Sequence, residues 1–235
     1  MISRIGAGTG AGPPRSAASP NLPAQIRQYL VAWLYLAAFV VMLIVDNLIL
    51  SSHDHAALLR WASTNVVNLR HDPAGSMVVS AFLPSSYPAA WPALIALCLF
   101  GANRALGNWR TAVVCAAGHV IGTLVSEGIV DYRVGYGQLP AAATRILDVG
   151  PSYVVMAAIA VAVLYGSWPA RVAAAVDFAI LVFTSAIFAG LTSLDVDAVG
   201  HATALVVAVL LGSALMWQRR RASQAAAGSW GTPSP

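Results

Sequence analysis

The chain contains six apolar segments that are each close to the length needed to cross a lipid bilayer as a helix. A bilayer core of about 30 Å needs about 20 apolar residues in helical form. Of the 235 residues, 58% are hydrophobic and 9% are charged, whereas about a quarter of a soluble domain is charged. The sequence therefore predicts an all-α membrane protein with a six-helix bundle. The six segments are Tyr29–Leu50, Ala89–Leu106, Trp109–Val130, Gly150–Gly166, Val172–Leu191 and Ala198–Trp217.

The linkers between these segments alternate in charge. Basic residues concentrate at one side: Arg27, Arg104, Arg110, Arg171 and Arg219 to Arg221. Acidic residues concentrate at the other: Asp54, Asp72, Asp131, Asp148, Asp195 and Asp197. Because arginine-rich linkers face the cytoplasm, both termini are predicted to be cytoplasmic, in a bacterial plasma membrane. The net charge of +4 does not indicate nucleic-acid binding, since the arginines flank apolar segments rather than forming a patch.

The domain organisation follows from composition. Residues 1–27, rich in Gly, Ala, Ser and Pro, predict a disordered cytoplasmic tail. Residues 28–218 form the membrane domain, and residues 219–235 a basic and then low-complexity cytoplasmic tail. The first outer connection, from Ser51 to about Pro88, is long, and loops of this length are usually functional or folded onto a surface. Its stretch Met77–Phe82 is apolar enough to enter the membrane interface.

A serine and a histidine enter the apolar region at similar depth from the same side. Ser152 follows Gly150 and Pro151 at the start of the fourth segment, where Asp148 or Gly150 is expected to cap the helix. His201 lies about one turn inside the sixth segment. A Ser–His pair is the minimum for an activated hydroxyl nucleophile. The alternatives are a helix-start serine bonded to local backbone and a histidine that links helices.

Other polar residues in the segments have more ordinary explanations. Asp46, Glu127 and Asp177 lie near segment ends, where interfacial solvation is expected. His119 and Glu127 lie two turns apart on one helix face, which favours a structural polar network, with a proton relay as the alternative. Small residues recur every fourth position in the fourth and sixth segments and permit close helix approach: Ala158, Ala162, Gly166, Gly200, Ala204, Ala208 and Gly212.

Three motifs, in this order and spacing, resemble those of the rhomboid family. "GPSY" (Gly150 to Tyr153) is similar to the Gly-x-Ser-Gly motif that opens the family's short fourth helix. "GHATA" (Gly200 to Ala204) resembles its sixth-helix histidine motif, and "LFGANRALGNWR" (99–110) its second-to-third helix junction. The resemblance implies a catalytic dyad of Ser152 and His201, without a metal or cofactor. The complete absence of lysine and the frequent alanine point to a GC-rich, actinobacterial branch.

The chain also departs from the family pattern. Tyr153 replaces the glycine after the nucleophile, and the second segment lacks the His and Asn that help to bind the oxyanion in active rhomboids. Backbone N–H groups near Gly150 or the side chain of His119 are the candidate replacements. The resemblance implies a serine protease of transmembrane substrates. The alternatives are a pseudoprotease that binds transmembrane clients without cleavage and a small-solute or proton-coupled transporter built around His119 and Glu127.

Overall fold

The computed structural model describes residues 22–84 and 86–228. Its described part is helical and contains no β-strand. Residues 1–21 and 229–235 of the predicted tails lie outside the described residues. Inside them, α1 occupies the end of the predicted N-terminal tail, and α10 continues beyond Trp217. The α-helices are α1 (Leu22–Gln28), α2 (Leu30–Ile44), α3 (Ser52–Ala62), α4 (Val66–His71), α5 (Pro73–Ser80), α6 (Trp91–Leu106), α7 (Asn108–Gly135), α8 (Ser152–Tyr165), α9 (Trp168–Ser185) and α10 (Val196–Gly228).

Each of the six predicted membrane segments corresponds to a helix of the bundle. Four described helices are long and apolar enough to cross a membrane: Leu30–Ile49, Asn108–Gly135, Trp168–Ser185 and Val196–Gln224. The first combines α2 with a π-helical turn, Val45–Ile49. The other two, α6 and α8, are apolar but shorter. The predicted six-helix membrane bundle is therefore confirmed.

Helix α8 forms the centre of the bundle. Its sequence is apolar on every side, so it has no face suited to water, and every residue from Tyr153 to Ala162 is buried. It packs against α6, α7, α9 and α10. Small residues allow this close packing: Ala204 and Ala208 of α10 are fully buried, and a Cβ on Gly118 of α7 would lie 2.7 Å from the Cβ of Ala157.

Helices α2 and α9 lie at the periphery and present apolar side chains outward. Of the residues in α2, only Ala32 and Phe39 are buried. In α9, Phe183 is 85% exposed. Large apolar side chains without protein contacts are suited to lipid, because acyl chains carry no polar groups that need partners.

Two acidic residues of these peripheral helices are more buried than interfacial solvation predicts. Asp46, in the π-helical turn, is 3% exposed, and its Oδ1 lies 2.6 Å from Nδ1 of His55 in α3. Asp177 of α9 is fully buried, and neither of its carboxylate oxygens has a hydrogen-bond partner among the described residues. The expectation of solvation was wrong for both, because the first loop covers Asp46 and α6 covers Asp177. It was also wrong for Glu127 of α7, which is 3% exposed.

The long first connection is structured. Three short helices, α3, α4 and α5, fill it, and the side chain of Asn65 caps α4. Helix α5 ends beside α7, where Nε2 of His119 donates to the carbonyl oxygen of Met77 at 2.8 Å. We refer to the end of the bundle that carries α3 to α5 as the loop end. It also contains the first residues of α8 and α10.

At the opposite end, two asparagines satisfy the backbone at the start of the first span. The first N–H groups of a helix have no intrahelical acceptor. Oδ1 of Asn103 accepts from the N–H of Ala32 at 3.1 Å, and Oδ1 of Asn108 accepts from the N–H of Val31 at 3.3 Å. The amide groups of the same two asparagines donate to the carbonyls of Gln28 and Arg27. The end of α6 and the start of α7 thus cap the first span through Asn103 and Asn108.

We predict that Asn103→Ala lowers the free energy of unfolding by about 1–3 kcal/mol, because it leaves buried backbone groups without partners. Asn103 is 1% exposed. The measurement is denaturant unfolding in mixed micelles followed by circular dichroism. The matched control is Asn47→Ala, since Asn47 is exposed and bonds mainly within its own helix. Equal unfolding of the two variants would contradict this role for Asn103.

Candidate active site

Ser152 is the first residue of α8 and follows an extended segment that the first loop holds in place. The N–H of Gly150 donates to the carbonyl of Ser80, at the end of α5, at 3.1 Å. Gly150 has φ of +153°, a backbone conformation that L side chains rarely adopt. Ser152 itself is half-buried. The glycine of the motif is therefore required by the turn that presents the serine.

Asp148 anchors this segment rather than capping α8. Its carbonyl accepts from the N–H of Thr64 at 2.8 Å, and its Oδ2 accepts from the Thr64 hydroxyl at 3.0 Å. Its own N–H donates to Oγ of Ser63 at 2.9 Å. Residue Pro151 occupies the N-cap position, without a side-chain cap. The expected capping by Asp148 was wrong, because its carboxylate is already bonded to the first loop.

His201 is buried near the start of α10, with its two ring nitrogens in different environments. Its Nδ1 lies 3.1 Å from the carbonyl oxygen of Ile187, in the loop after α9. A carbonyl oxygen can only accept, so Nδ1 carries the hydrogen, and Nε2 of the neutral ring keeps a lone pair. Nε2 has no hydrogen-bond partner among the described residues. This tautomer is the one that a general base acting through Nε2 requires.

The ring of Tyr153 packs edge-on against His201, with centroids 5.0 Å apart and planes at 83°. Its hydroxyl donates to the carbonyl of Val196 at 3.4 Å. Two glycines make room for the ring: a Cβ on Gly200 would overlap it, and a Cβ on Gly122 would lie 3.4 Å from it. Tyr153 therefore restricts the orientation of the imidazole from one side, while Ile187 restricts it from the other.

Ser152 and His201 line the same cavity of about 560 Å³ at the loop end. Gly150 lines it too. No hydrogen bond joins Ser152 to His201 in the described structure, so the residues share a cavity without being in direct contact through Oγ and Nε2. The cavity extends between the start of α6, at Trp91, and the end of α9, at Ser185.

Backbone N–H groups without intrahelical acceptors lie at the start of α8, beside the cavity. The first bond of α8 joins the N–H of Val155 to the carbonyl of Pro151, so the preceding N–H groups of residues 152–154 have no intrahelical acceptor.

His119 lies outside this cavity. It lines a separate, almost wholly apolar cavity of about 290 Å³ between α2, α5 and α7. Its Nε2 is engaged by the Met77 carbonyl.

The wall of the cavity carries three carboxylates: Asp148, Asp195 and Asp197. Burial, together with the negative charge of Asp197, raises the pKa of Asp148 to about 7, and the hydrogen bond from Thr64 opposes that rise. A buried carboxyl group is harder to ionise because it loses the hydration of its charged form.

Some residues that build the site were not found from the sequence. These residues form hydrogen bonds with segments that are distant along the chain, and two of them do so through a backbone carbonyl. They are Ile187, Ser63 and Ser80. The cluster Ser63-Thr64-Asn65 was visible as a polar interruption in the first loop, but nothing in its sequence shows which segment it binds. Gly200 belongs to the small-residue pattern that the sequence shows in the sixth segment, whereas the role of Gly122 is seen only in the structure.

The chain matches a known protein family over most of its length. The family model described as rhomboid-like protein matches residues 24–222. Neither a curated protein nor a solved structure matches the chain. The matched range contains all six spans, the first loop and the cavity with Ser152 and His201.

We predict that Gly200→Ala destabilises the fold by about 1–3 kcal/mol, since the added methyl overlaps the ring of Tyr153. The control is Gly128→Ala in α7, whose Cβ would meet no atom within 4 Å. That change is expected to be neutral or to stabilise by up to about 1 kcal/mol. Denaturant unfolding measures both. The cost of Gly200→Ala should shrink in a Tyr153→Ala background, and an undiminished cost would show that another contact is responsible.

We also predict that stability falls as the pH rises from about 4 to about 7, through Asp148. Its pKa is raised on folding, so between its unfolded value and about 7 the folded state holds a proton that the unfolded state has lost. The Asp148→Asn variant should lose this part of the decrease in the free energy of unfolding with rising pH. Thr64→Val removes the hydrogen bond that lowers the pKa, so its decline extends to higher pH. Unfolding measured at several pH values tests both, and an unchanged profile in Asp148→Asn would refute the assignment.

Proposed function

The chain belongs to the rhomboid-like family of membrane proteins, and on this premise we propose that it is an intramembrane serine protease with Ser152 as the nucleophile and His201 as the general base. At the family level, membership supports an intramembrane protease or pseudoprotease. The observation that carries the finer proposal is the state of His201: Nδ1 is fixed by Ile187, Nε2 is unpartnered, and Ser152 lines the same cavity.

The proposed reaction is acyl transfer. Oγ of Ser152 attacks the carbonyl carbon of a peptide bond while Nε2 of His201 accepts the hydroxyl proton. The resulting imidazolium gives that proton to the leaving amine as the C–N bond breaks, which leaves an ester on Ser152. Water then attacks the ester, again with Nε2 as base, and releases the carboxylate product and the free serine.

Stabilisation of the oxyanion is assigned to the start of α8. The unpaired N–H groups of residues 152–154 point along the helix axis towards the loop end, and a helix N-terminus favours negative charge. The cavity wall contributed by α6 contains no histidine or asparagine in the described structure. Losing one oxyanion donor typically costs about a hundred- to thousandfold in rate. The proposed enzyme is therefore slow compared with a protease that has side-chain donors as well.

A second candidate, a client-binding pseudoprotease, is favoured by two further observations. Oγ of Ser152 and Nε2 of His201 are not hydrogen-bonded to each other. The Tyr153 ring, in a place where the family pattern has a glycine, packs against the imidazole. Both features are compatible with a cavity that holds a transmembrane segment without cleaving it.

The transporter alternative has less support. His119 is engaged by the carbonyl of Met77 and lies 3.4 Å from the hydroxyl of Ser80, which makes it a link between α7 and α5. A proton relay needs groups that are free to exchange partners along a path.

For topology, we propose that both termini face the cytoplasm and that the loop end faces outward, in keeping with the arginine-rich linkers at the opposite end.

The first test is labelling of the purified protein in detergent with a fluorescent fluorophosphonate. We expect labelling that is lost in Ser152→Ala and reduced to background in His201→Ala, because the hydroxyl is not activated without its base. Ser185→Ala is the control, since Ser185 is an exposed serine at the rim of the same cavity. It should keep the label.

Two outcomes separate the candidate functions. Labelling that depends on both Ser152 and His201 supports the protease. If the wild-type protein is not labelled although its circular dichroism spectrum shows that it is folded, the protease proposal is rejected and the pseudoprotease is retained. Labelling that survives Ser152→Ala would show that another serine reacts.

A further inference from the structure

The cavity that contains Ser152 and His201 has an acidic wall. Asp148 lies four residues before Ser152, and Asp197 lies four residues before His201. On α10, four residues correspond to about one turn, so Asp197 is about 5–6 Å nearer the loop end than His201. Asp195 lies next to the start of the same helix. The acidic groups therefore lie beside both members of the proposed dyad.

These carboxylates have no cationic partner among the described residues. The ion pairs of the described structure involve Asp46, Asp54 and Asp131 instead. Arg133 is the one arginine on the described cavity wall, and its Nη1 donates to the carbonyl of Ser193. It forms no salt bridge to the three carboxylates. The wall thus keeps an unbalanced negative charge.

The bond to Thr64 uses only one of the two carboxylate oxygens of Asp148. Asp148 is 8% exposed, and its Oδ1 accepts no hydrogen bond from the described residues, although its Oδ2 accepts one from Thr64. Burial and the charge of Asp197 raise its pKa to about 7. A cation bound between Asp148 and Asp197 would remove the repulsion and lower that pKa.

Helix geometry explains only part of the wall. A helix N-terminus favours acidic residues, which accounts for Asp197 in the first turn of α10 and for Asp195 immediately before it as structural residues. Asp148 lies four residues before the start of α8, and because the effect of a helix dipole falls off within about one turn, the same explanation does not extend to it. A separate observation also indicates a ligand here: His201, 5% exposed and on the same cavity, has an Nε2 without a partner.

We propose that the acidic wall is the subsite for a lysine or arginine side chain of a transmembrane substrate, on the loop-end side of the scissile bond. This inference rests on the proposed function, because it places a peptide segment across Ser152 and His201. The cavity of about 560 Å³ is within the range of about 300–1,000 Å³ that ordinary ligand sites occupy. Guanidinium and ammonium groups are the natural partners of paired carboxylates.

Such a subsite makes the protein selective. Basic residues are scarce at the outer ends of membrane spans because they favour cytoplasmic linkers. With the loop end outward, a requirement for lysine or arginine at that end excludes most membrane proteins. The substrates are therefore expected to be the minority whose spans carry a basic residue just inside or beside the outer boundary.

The experiment measures binding and cleavage separately. Full-length Ser152→Ala protein in nanodiscs is titrated with fluorescent transmembrane peptides of about 25 residues, long enough to span the bilayer. The three peptides differ at one outer position, which is arginine, glutamine or glutamate. We expect the arginine peptide to bind roughly tenfold more tightly than the glutamine peptide, and the glutamate peptide to bind most weakly.

Charge variants assign the preference to the wall. In Asp197→Asn the arginine-to-glutamine affinity ratio should fall to roughly threefold or less, and in Asp197→Arg the glutamate peptide should become the preferred one. Asp197 is exposed, so these changes are accommodated even if Asp148→Asn impairs folding. The matched control is Asp54→Asn, which removes an exposed carboxylate outside the cavity and should keep the wild-type ratio.

The outcomes for this subsite and for the protease are distinguishable. Wild-type protein is incubated with the same peptides and the products are analysed by mass spectrometry. An arginine preference in binding without any cleavage would retain the subsite and reject the protease. Cleavage that depends on Ser152, with equal affinities for the three peptides, would retain the protease and overturn the subsite. Failure of all three peptides to bind would also overturn it.

Discussion

The structure depends on satisfying backbone groups next to a helix that is too short to cross the bilayer. Helix α8 has 14 residues, about 21 Å at 1.5 Å per residue, and its residues 153–162 are buried among other helices. Asp148 and Val149, in the extended segment before it, are buried as well, and irregular backbone there must find protein partners. The first loop provides them through Ser63, Thr64 and Ser80. The loop is thus part of the core as well as a connection.

This constraint connects the site to distant parts of the chain. Ser152 is placed by the turn at Gly150, which is bonded to the end of α5, and α5 is in turn held to α7 by His119. His201 is held by Ile187, which follows α9. The two residues of the proposed dyad are therefore positioned by separate elements, and a movement of either α5 or the α9–α10 loop changes their separation. A dyad without a mutual hydrogen bond is consistent with this independence, since catalytic contacts often tighten only with substrate bound.

The fold was predictable from the sequence because membrane spans are specified by length and apolarity, which are local properties. All six segments were found from these properties. The positions of Ser152 and His201 on one cavity followed from their depth, but their partners did not. Asp46 with His55 and Asp148 with Thr64 are contacts between residues that are distant in space until the first loop folds back, and no periodicity in the sequence marks them. Asp177 was misjudged for the same reason, because burial by α6 is a property of the assembled bundle.

Tyr153 shows how the departure from the family motif can be compatible with chemistry. A bulky ring after the serine would block the cavity if it pointed outward, but it is buried between Gly122 and Gly200 and does not line the cavity. There it contacts the imidazole of His201 and leaves Nε2 without a polar competitor. Gly200 and the tyrosine therefore have to be considered together: a Cβ on Gly200 would displace the ring, and a displaced ring would either fill the cavity or release the imidazole. A Cβ on Gly122 would touch the ring at 3.4 Å and lie 3.0 Å from the carbonyl oxygen of Gly200. Substitution at this motif is thus coupled to small residues on α7 and α10, which is a stronger constraint than the motif alone suggests.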